Sequence, residues 1–458
     1  MIPVNQKTKS RGQTDVSKIR SYEDIVAYLD ANWAPITDLQ AITQIDQALG
    51  NIAHTLPAIL ISGNNGKSLT AHFVVKLLKE EGLQVGAFFA PHYQYYNERF
   101  KINDETISNK EFTALANEII TLCETKKIQA STKDILTGIF LLHCKNESVD
   151  VVIAENETAK YLDSVLILQP KINAITRIGN EITKQDDANE SIKNIMHYVQ
   201  KGTHFVSADQ NKLNLALMHT LAEEKNCVWS MPIRKPAPLA YPFEQLHGRC
   251  GALAERISQI YIQNFIDEES LAINKSLLSK PKGQRGRPTL EAKRNLELHP
   301  RRTLEQFWKS ITSTLPARFE LLEKEHPHVL VDNATNLDAF ENLFLGIRLL
   351  HYQKPLKGLV LIFACKKESF NEDEFLKLTR YFFKKTAGSI IFCPTQTDSW
   401  DVEDITNKAK NLKIKARACA SFKEAFETAT KSVDEKHGLM VIAGSDDIVK
   451  QYAQRKNS

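Results

Sequence analysis

The run Ala58-Ile59-Leu60-Ile61-Ser62-Gly63-Asn64-Asn65-Gly66-Lys67-Ser68 decides how the first half of the chain is read. Its opening five residues form an apolar stretch of strand length, and a glycine-rich turn follows at once. From Thr70 to Glu81, Phe73, Val74, Leu77 and Leu78 then recur at helical spacing. A strand, a glycine loop and a helix in this order make a phosphate cradle. The glycines let the backbone approach closely, successive N–H groups face phosphate oxygens, and the helix N-terminus adds partial positive charge. In such a cradle Lys67 neutralises the outer phosphates and the Ser68 hydroxyl can ligate Mg²⁺. Ile61 stands where the first glycine of the full Walker spacing would be, so the assignment to a nucleotide rests on the flanking strand and helix as well as on the string.

Working outward, the apolar runs Val85 to Phe89, Val149 to Ala154 and Ile172 to Thr176 alternate with helical patterns over Glu111 to Leu122 and Lys133 to Cys144. Such alternation predicts a mainly parallel sheet covered by helices. A second series begins near Pro316. Its strands are expected at His328 to Val331, Gly358 to Ala364, Ser389 to Cys393, Lys413 to Arg417 and Gly438 to Ala443. Its helices are expected at Asp338 to Leu350, Asp373 to Lys385, Val402 to Asn411 and Phe422 to Ser432. This reads as a separate, smaller α/β domain. Lys280 to Arg302, basic and poor in apolar residues, suits an exposed loop between the two series.

Composition narrows the class. A chain of 458 residues with 42% apolar and 25% charged content is expected to form two or three domains with real cores. The formal charge of +4 is small for this length, so the molecule as a whole is not a polyanion binder. Met1 to Ser10 lacks the apolar stretch of a secretory signal, and no run reaches the roughly 18 apolar residues of a membrane span. A soluble, cytoplasmic protein without a membrane partner is therefore expected. Seven scattered cysteines, never spaced Cys-x-x-Cys, speak against a disulfide framework and a zinc knuckle.

Several strings around the loop carry a family resemblance. Gln47-Ala48-Leu49-Gly50-Asn51, followed by Gly63-Asn64-Asn65-Gly66-Lys67, resembles the Leu-Gly-Asn and Gly-Thr-Asn-Gly-Lys signatures of the folylpolyglutamate and dihydrofolate synthases, members of the Mur ligase superfamily. Ala90-Pro91-His92 and Asn97-Glu98-Arg99-Phe100-Lys101-Ile102-Asn103, with Ile107-Ser108, resemble that family's Ser-Pro-His segment and the Arg-Glu-Arg-Ile-x-Ile-Asn run after it. Glu155 precedes Leu162-Asp163 at the spacing of Glu-Val-Gly-Leu-Gly-Gly-Arg-Leu-Asp. Pro316-Ala317-Arg318-Phe319-Glu320 resembles Pro-Gly-Arg-Phe-Glu, and Asp332-Asn333-Ala334-Thr335-Asn336 resembles Asp-Gly-Ala-His-Asn.

The resemblance implies an α/β fold in which a P-loop-containing, Mur-ligase-like ATPase domain with a mainly parallel sheet (residues 1–313) precedes a smaller Rossmann-like domain (314–458). It also implies a reaction. ATP phosphorylates a folate-like carboxylate to an acyl phosphate, and the amine of L-glutamate attacks it to form an amide, an activity of folate and one-carbon metabolism. Gly63, Asn64, Asn65, Gly66, Lys67 and Ser68 would bind ATP, joined from the second domain by Arg318, Asp332 and Asn336. Ser68 and Glu155 would hold Mg²⁺, with Lys67 and Glu155 as the catalytic pair. Pro91, His92 and Asp163 would meet the substrate, and a monomer is expected.

The chain also departs from the pattern. Ile182 falls where the family has a metal-binding His, and Val199 or Gln200, next to Lys201, falls where it has a lysine. Thr335 replaces the second-domain His, and Leu69 replaces the Ser or Thr two residues after Lys67. Glu181 or Asp186 could supply an oxygen in place of Ile182. Two other readings therefore stay open: a nucleotide-binding pseudoenzyme, and a Mur-type ligase acting on a different acid. Arg285-Gly286-Arg287-Pro288 has the form of a minor-groove hook, but a solvated loop accounts for it and nucleic acid is not an expected partner. Tyr93, Tyr95 and Tyr96 could stack on a flat ring or pack a sheet edge. His326 and His328 lack a third ligand in sequence range. Replacing Lys67 with Ala is expected to abolish ATP binding, which equilibrium dialysis with labelled ATP would detect; unchanged affinity would refute the phosphate-loop assignment.

Overall fold

The structure is a computed structural model that describes residues 19–157, 162–179, 185–232, 244–266, 315–367, 370–396 and 398–457. The basic segment 280–302, the boundary expected at 313/314, Glu181 and Ile182 lie outside those residues, as does the side chain of Asp186.

Eight strands of the first half are β1 (Ala58–Ser62), β2 (Val85–Phe88), β3 (Phe100–Ile102), β4 (Glu105–Thr106), β5 (Val151–Glu155), β6 (Pro170–Ile175), β7 (His204–Ser207) and β8 (Val228–Ser230). They form one sheet in the order β4-β3-β2-β5-β1-β6-β7-β8. β1 lies at its middle, parallel to both β5 and β6. Each of these strands alternates between two cores. Ala58, Leu60, Val152 and Ala154 face the helices Tyr22–Ala31, Gln40–Ala48, Asn109–Lys126 and Thr132–Asn146, whereas Ile59, Ile61, Val151 and Ile153 face Lys67–Glu80 and Glu244–Phe265. A strand buried on both faces carries no polar alternation. The apolar runs seen in the sequence therefore sit at the sheet centre.

The second half builds β9 (Glu320–Leu322), β10 (His328–Asp332), β11 (Leu359–Ala364), β12 (Ser389–Phe392), β13 (Ala416–Ala418) and β14 (Leu439–Gly444) into a sheet of order β13-β12-β11-β14-β10-β9. Only β9 runs antiparallel to its neighbour there. Leu359, Leu361 and Phe363 of β11 meet Phe340, Phe375 and Phe382 on one face, and Val360, Ile362 and Ala364 meet Phe422, Phe426 and Tyr452 on the other. The α/β class and its mainly parallel sheets match the expectation.

The structure also adds elements that periodicity did not announce. The short antiparallel ribbon β3-β4 extends the first sheet, because its alternation is too brief to stand out. The last expected strand before the final pair moves from Lys413–Arg417 to Ala416–Ala418. Lys413 takes a positive φ of 62° at the end of the preceding helix, which delays the extended backbone. All seven cysteines are free thiols. Among the described residues, no helix is long and apolar enough to cross a membrane.

Phe363 is 1% exposed and stacks on Phe375 at 4.4 Å between centroids, with Phe340 and Trp400 beside it. Truncation to Ala removes the hub of this aromatic core and should cost about 3–5 kcal/mol. Urea unfolding should show a lower midpoint for Phe363→Ala, while Tyr381→Ala, at a side chain 55% exposed, should leave the midpoint in place.

Candidate functional site

The loop Gly63–Gly66 projects from the carboxyl end of β1, at the sheet centre, and the helix Lys67–Glu80 starts directly after it. Gly63 has φ +129° and Gly66 φ +86°. A Cβ on Gly63 would lie 2.3 Å from Thr176 Oγ1 and 2.9 Å from the Arg177 carbonyl oxygen, so both the backbone angle and the neighbouring chain require glycine. The loop is held from the side by the strand end next door. Asn64 N–H donates to the Arg177 carbonyl at 2.8 Å, and Thr176 Oγ1 donates to the Ser62 carbonyl at 3.2 Å. Lys67 Nζ folds over the loop and donates to the Gly63 carbonyl at 2.7 Å.

The β1–β5 register sets Ile61 opposite Glu155, which brings the next turn of the chain over that carboxylate. Ser68 Oγ donates to Glu155 Oε2 at 3.0 Å. Glu155 is fully buried, and among the described residues its second oxygen, Oε1, has no hydrogen-bond partner. Burial pushes the Glu155 carboxyl above the usual carboxylate range, with Arg318 and Lys67 working in the opposite sense. A buried serine hydroxyl and a carboxylate with one oxygen unmatched form an all-oxygen donor set suited to a hard divalent cation.

Residues from the second half close the same cleft, a cavity of about 660 Å³. Arg318 lies with its guanidinium 5.0 Å from the centre of the Tyr93 ring, and its Nη2 reaches the Ala90 and Pro91 carbonyls at 3.5 Å. Asp332 Oδ2 accepts the Phe319 N–H at 2.7 Å. Asn336 caps the helix Leu337–Gln353 by accepting from Ala339 N–H, and it also pairs with Asn65 across the cleft. Thr335 and Leu69 line the cleft too.

Not every expected site residue points here. Pro91 lines the cleft, but His92 faces a second cavity of about 530 Å³ bounded by Tyr22, Asp30, Tyr95 and Lys450. His92 Nδ1 accepts from Arg99 Nε at 2.9 Å, and burial, reinforced by Arg99, lowers its pKa to about 3. Asp163 is 4% exposed and engages local backbone, accepting from Glu157 N–H at 2.9 Å and Val165 N–H at 3.3 Å. Of the three tyrosines, Tyr93 is buried beside the cleft with its hydroxyl accepting from Asn333, Tyr96 donates to Asp30 at 2.7 Å, and Tyr95 stays half exposed.

Sequence reasoning missed a charged group beside Glu155. Glu157 Oε2 lies 3.2 Å from Lys133 Nζ and 3.8 Å from Arg99 Nη1. Burial alone would raise its pKa, yet Arg99 and Lys133 outweigh that and hold the carboxyl below the usual range. Arg99 and Lys133 also lie under the face of Trp33, which is 46% exposed. Nothing local singles out Lys133, which follows an ordinary helix-capping Ser131.

Comparison with known proteins places this geometry. Residues 317–446 match the family model described as Mur ligase, glutamate ligase domain. Over 431 residues the chain is 27% identical to the dihydrofolate synthase/folylpolyglutamate synthase of Bacillus subtilis (strain 168), covering 89% of this chain and 92% of that protein. The chain is thus similar along most of its length to a dihydrofolate synthase/folylpolyglutamate synthase, and its residues 317–446 match the Mur ligase, glutamate ligase domain. Solved structures share the fold. The Mycobacterium tuberculosis folylpolyglutamate synthase complexed with ADP superposes with a TM-score of 0.74 at 16% identity, covering 95% of this chain and 98% of that one. The bifunctional folylpolyglutamate synthase/dihydrofolate synthase of Yersinia pestis c092, complexed with AMPPNP and Mn ion, gives a TM-score of 0.69 at 18% identity, covering 96% and 98%.

The departures from the family pattern separate in space. Val199, 3% exposed, is packed with Ile192, Ile195 and Met196 in an apolar core, and Lys201 is exposed beyond the helix. Among the described residues, the one cluster of three His, Cys, Asp or Glu within metal-ligand reach is Glu111, His143 and Glu147, outside the phosphate loop. His326 and His328 lie with ring centres 5.8 Å apart and belong to no such cluster.

Asp332, partly exposed on the cleft wall, has a pKa raised to about 7 by loss of hydration, which the Phe319 N–H and Arg318 only partly offset. A carboxyl raised above its unfolded value, near 4, stabilises the fold fully below that value and loses the contribution as pH climbs through about 7. An amide at this position keeps the acceptor for Phe319 without the titration. Asp332→Asn should therefore flatten the fall in thermal midpoint between pH 4 and 7, measured by scanning fluorimetry; an unchanged slope would place the titration elsewhere.

Proposed function

We propose that this protein is an ATP-dependent amide ligase that adds L-glutamate to a folate-like carboxylate through an acyl phosphate. The observation that carries the reading is the Ser68–Glu155 pair under the phosphate loop, at the mouth of a cleft closed from the far side by Arg318. The Bacillus subtilis relative named above, a dihydrofolate synthase/folylpolyglutamate synthase, supports it.

In this reading the N–H groups of Gly63, Asn65 and Gly66 cradle the β and γ phosphates, while the Asn64 N–H stays on the Arg177 carbonyl and fixes the loop beside them. Lys67 moves from the Gly63 carbonyl onto those oxygens. Ser68 and Glu155 would hold Mg²⁺, which when bound screens phosphate charge. Asp332, through Phe319, keeps the Arg318 turn in place, so that the guanidinium faces the nucleotide when the second half is closed. The acceptor carboxylate attacks the γ phosphorus and ADP leaves. The glutamate amine then attacks the acyl carbon, phosphate departs and the ammonium proton is lost to solvent. Positioning and charge neutralisation supply most of what such a transfer needs. Lys133 and Arg99 give the acceptor side a fixed positive charge next to the flat face of Trp33, which suits an aromatic acid. The division of the chain into 1–313 and 314–458 belongs to the same proposal, with one sheet on each side of the boundary.

A second reading, nucleotide binding without turnover, draws on Val199, whose burial leaves the expected lysine position apolar. Phosphate release from ATP separates the two. With purified protein, Mg²⁺, L-glutamate and a panel of dihydropteroate, dihydrofolate and tetrahydrofolate, release should require glutamate and one of the acceptors together. ATP binding without release under every combination would favour the second reading.

A further inference from the structure

The two halves of the cleft are joined by a small set of polar contacts that no substrate is needed to form. Asn65, in the phosphate loop, and Asn336 form a reciprocal amide pair, with Nδ2 of each donating to Oδ1 of the other at 3.0 and 3.1 Å. Asn65 Nδ2 also donates to Asp338 Oδ2 at 2.7 Å. The other oxygen of Asp338, Oδ1, takes an ion pair from Arg177 Nη1 at 2.6 Å, with the Asp338 side chain 12% exposed. The backbone of Arg177 is itself tied to the loop, because its carbonyl accepts the Asn64 N–H. Asp338 therefore grips the phosphate loop twice, once directly and once through the chain that braces it. Its own position is set by the first turn of the helix Leu337–Gln353, whose cap is Asn336.

We propose that Asp338 is a positioning residue for the ligase reaction: by holding Asn65 and Arg177 at once, it makes the shape of the phosphate loop and the closure of the second half a single event. The inference rests on the ligase reading above and adds residues that the family motifs did not point to. The physical ground is the chemistry of the contacts. The hydrogen bonds of Asn64 and Lys67 brace the loop from its own half, and a largely buried carboxylate shared between an amide and a guanidinium sets both distance and angle across the interface. With the strap broken, the loop still offers N–H groups to ATP, but Arg318 no longer approaches in a fixed register. Affinity for ATP and turnover then respond differently.

The test uses the full chain and five variants: Asp338→Ala, Arg177→Ala, the charge reversals Arg177→Glu and Asp338→Arg, and the two reversals together. Small-angle X-ray scattering without nucleotide should show a larger radius of gyration for Asp338→Ala than for wild type. At saturating glutamate and acceptor, kcat should fall about tenfold in either alanine variant, within the usual range of coupling between sites, while KM for ATP changes by less than about threefold. The double reversal should recover a large part of the loss shown by each single reversal. Equal radii for wild type and both alanine variants would overturn the proposal, and so would a double reversal no better than the worse single one. Should Asp338→Ala not fold, Arg177→Ala, at a side chain 44% exposed, carries the same comparison. If wild type releases no phosphate with any acceptor, the ligase reading fails, while the scattering and the ATP affinities of the reversal set still decide whether the strap couples loop and closure.

Discussion

A buried carboxylate with one unmatched oxygen is the constraint on which the rest of this structure depends. Glu155 sits at the end of a strand that is apolar throughout, fully out of water, and its single side-chain partner among the described residues is Ser68. Left alone, such a group is destabilising, and proteins keep it where a cation or a positively charged substrate environment will complete it. Two long-range pairings put it there: β1 beside β5, and the helix after the loop folded back over both. The apolar burial of Ile59, Ile61, Val151 and Ile153 supplies the stability that tolerates the charge.

From that point the site is built by opposing surfaces. The first sheet presents phosphate-directed backbone and Lys67; the second presents Arg318, Asp332 and the capped helix start at Asn336. Neither surface is a site by itself. The loop supplies backbone N–H groups and Lys67, and the second half supplies Arg318 and Asp332 opposite them. Residues as far apart in sequence as Tyr93 and Asn333, or Asn65 and Asp338, hydrogen-bond directly. Chemistry that forms an amide from two acids needs water kept out while the acyl phosphate waits for the amine, and a cleft made by two bodies can open for substrates and close for the transfer.

The departures from the family pattern alter this arrangement without removing its centre. Of the positions Val199 and Gln200 where the resemblance leads one to expect a lysine, Val199 lies in an apolar core with Ile192 and Met196, and the neighbouring Lys201 is exposed. Next to Glu155 the chain instead gathers Glu157, Lys133 and Arg99, a fixed charge cluster whose acid is held ionised by two cations.

How much of this was legible follows from range. β1, the glycine loop and the helix after it were readable in the sequence because strand burial, positive φ at glycine and helical periodicity are local properties; the same holds for β11, β14 and the helices of the second half. Lys67, Ser68 and Glu155 were legible through spacing and resemblance, and the structure brings Ser68 and Glu155 together. His92 and Asp163 were legible as positions but not as neighbours: one turns to Arg99 and Tyr96, the other to its own backbone. Lys133, Arg177 and Asp338 carried no signal at all. A capping segment, a loop after a strand and the first turn of a helix are ordinary places for charged residues, and nothing in their neighbours says what will face them. The sequence by itself determined the α/β alternation and the strand, glycine turn and helix around Lys67, since each is written in short-range patterns of burial and backbone freedom. Which charges meet across the cleft was decided only by the tertiary structure, because strand register and the docking of two sheets depend on the packing of every core residue at once.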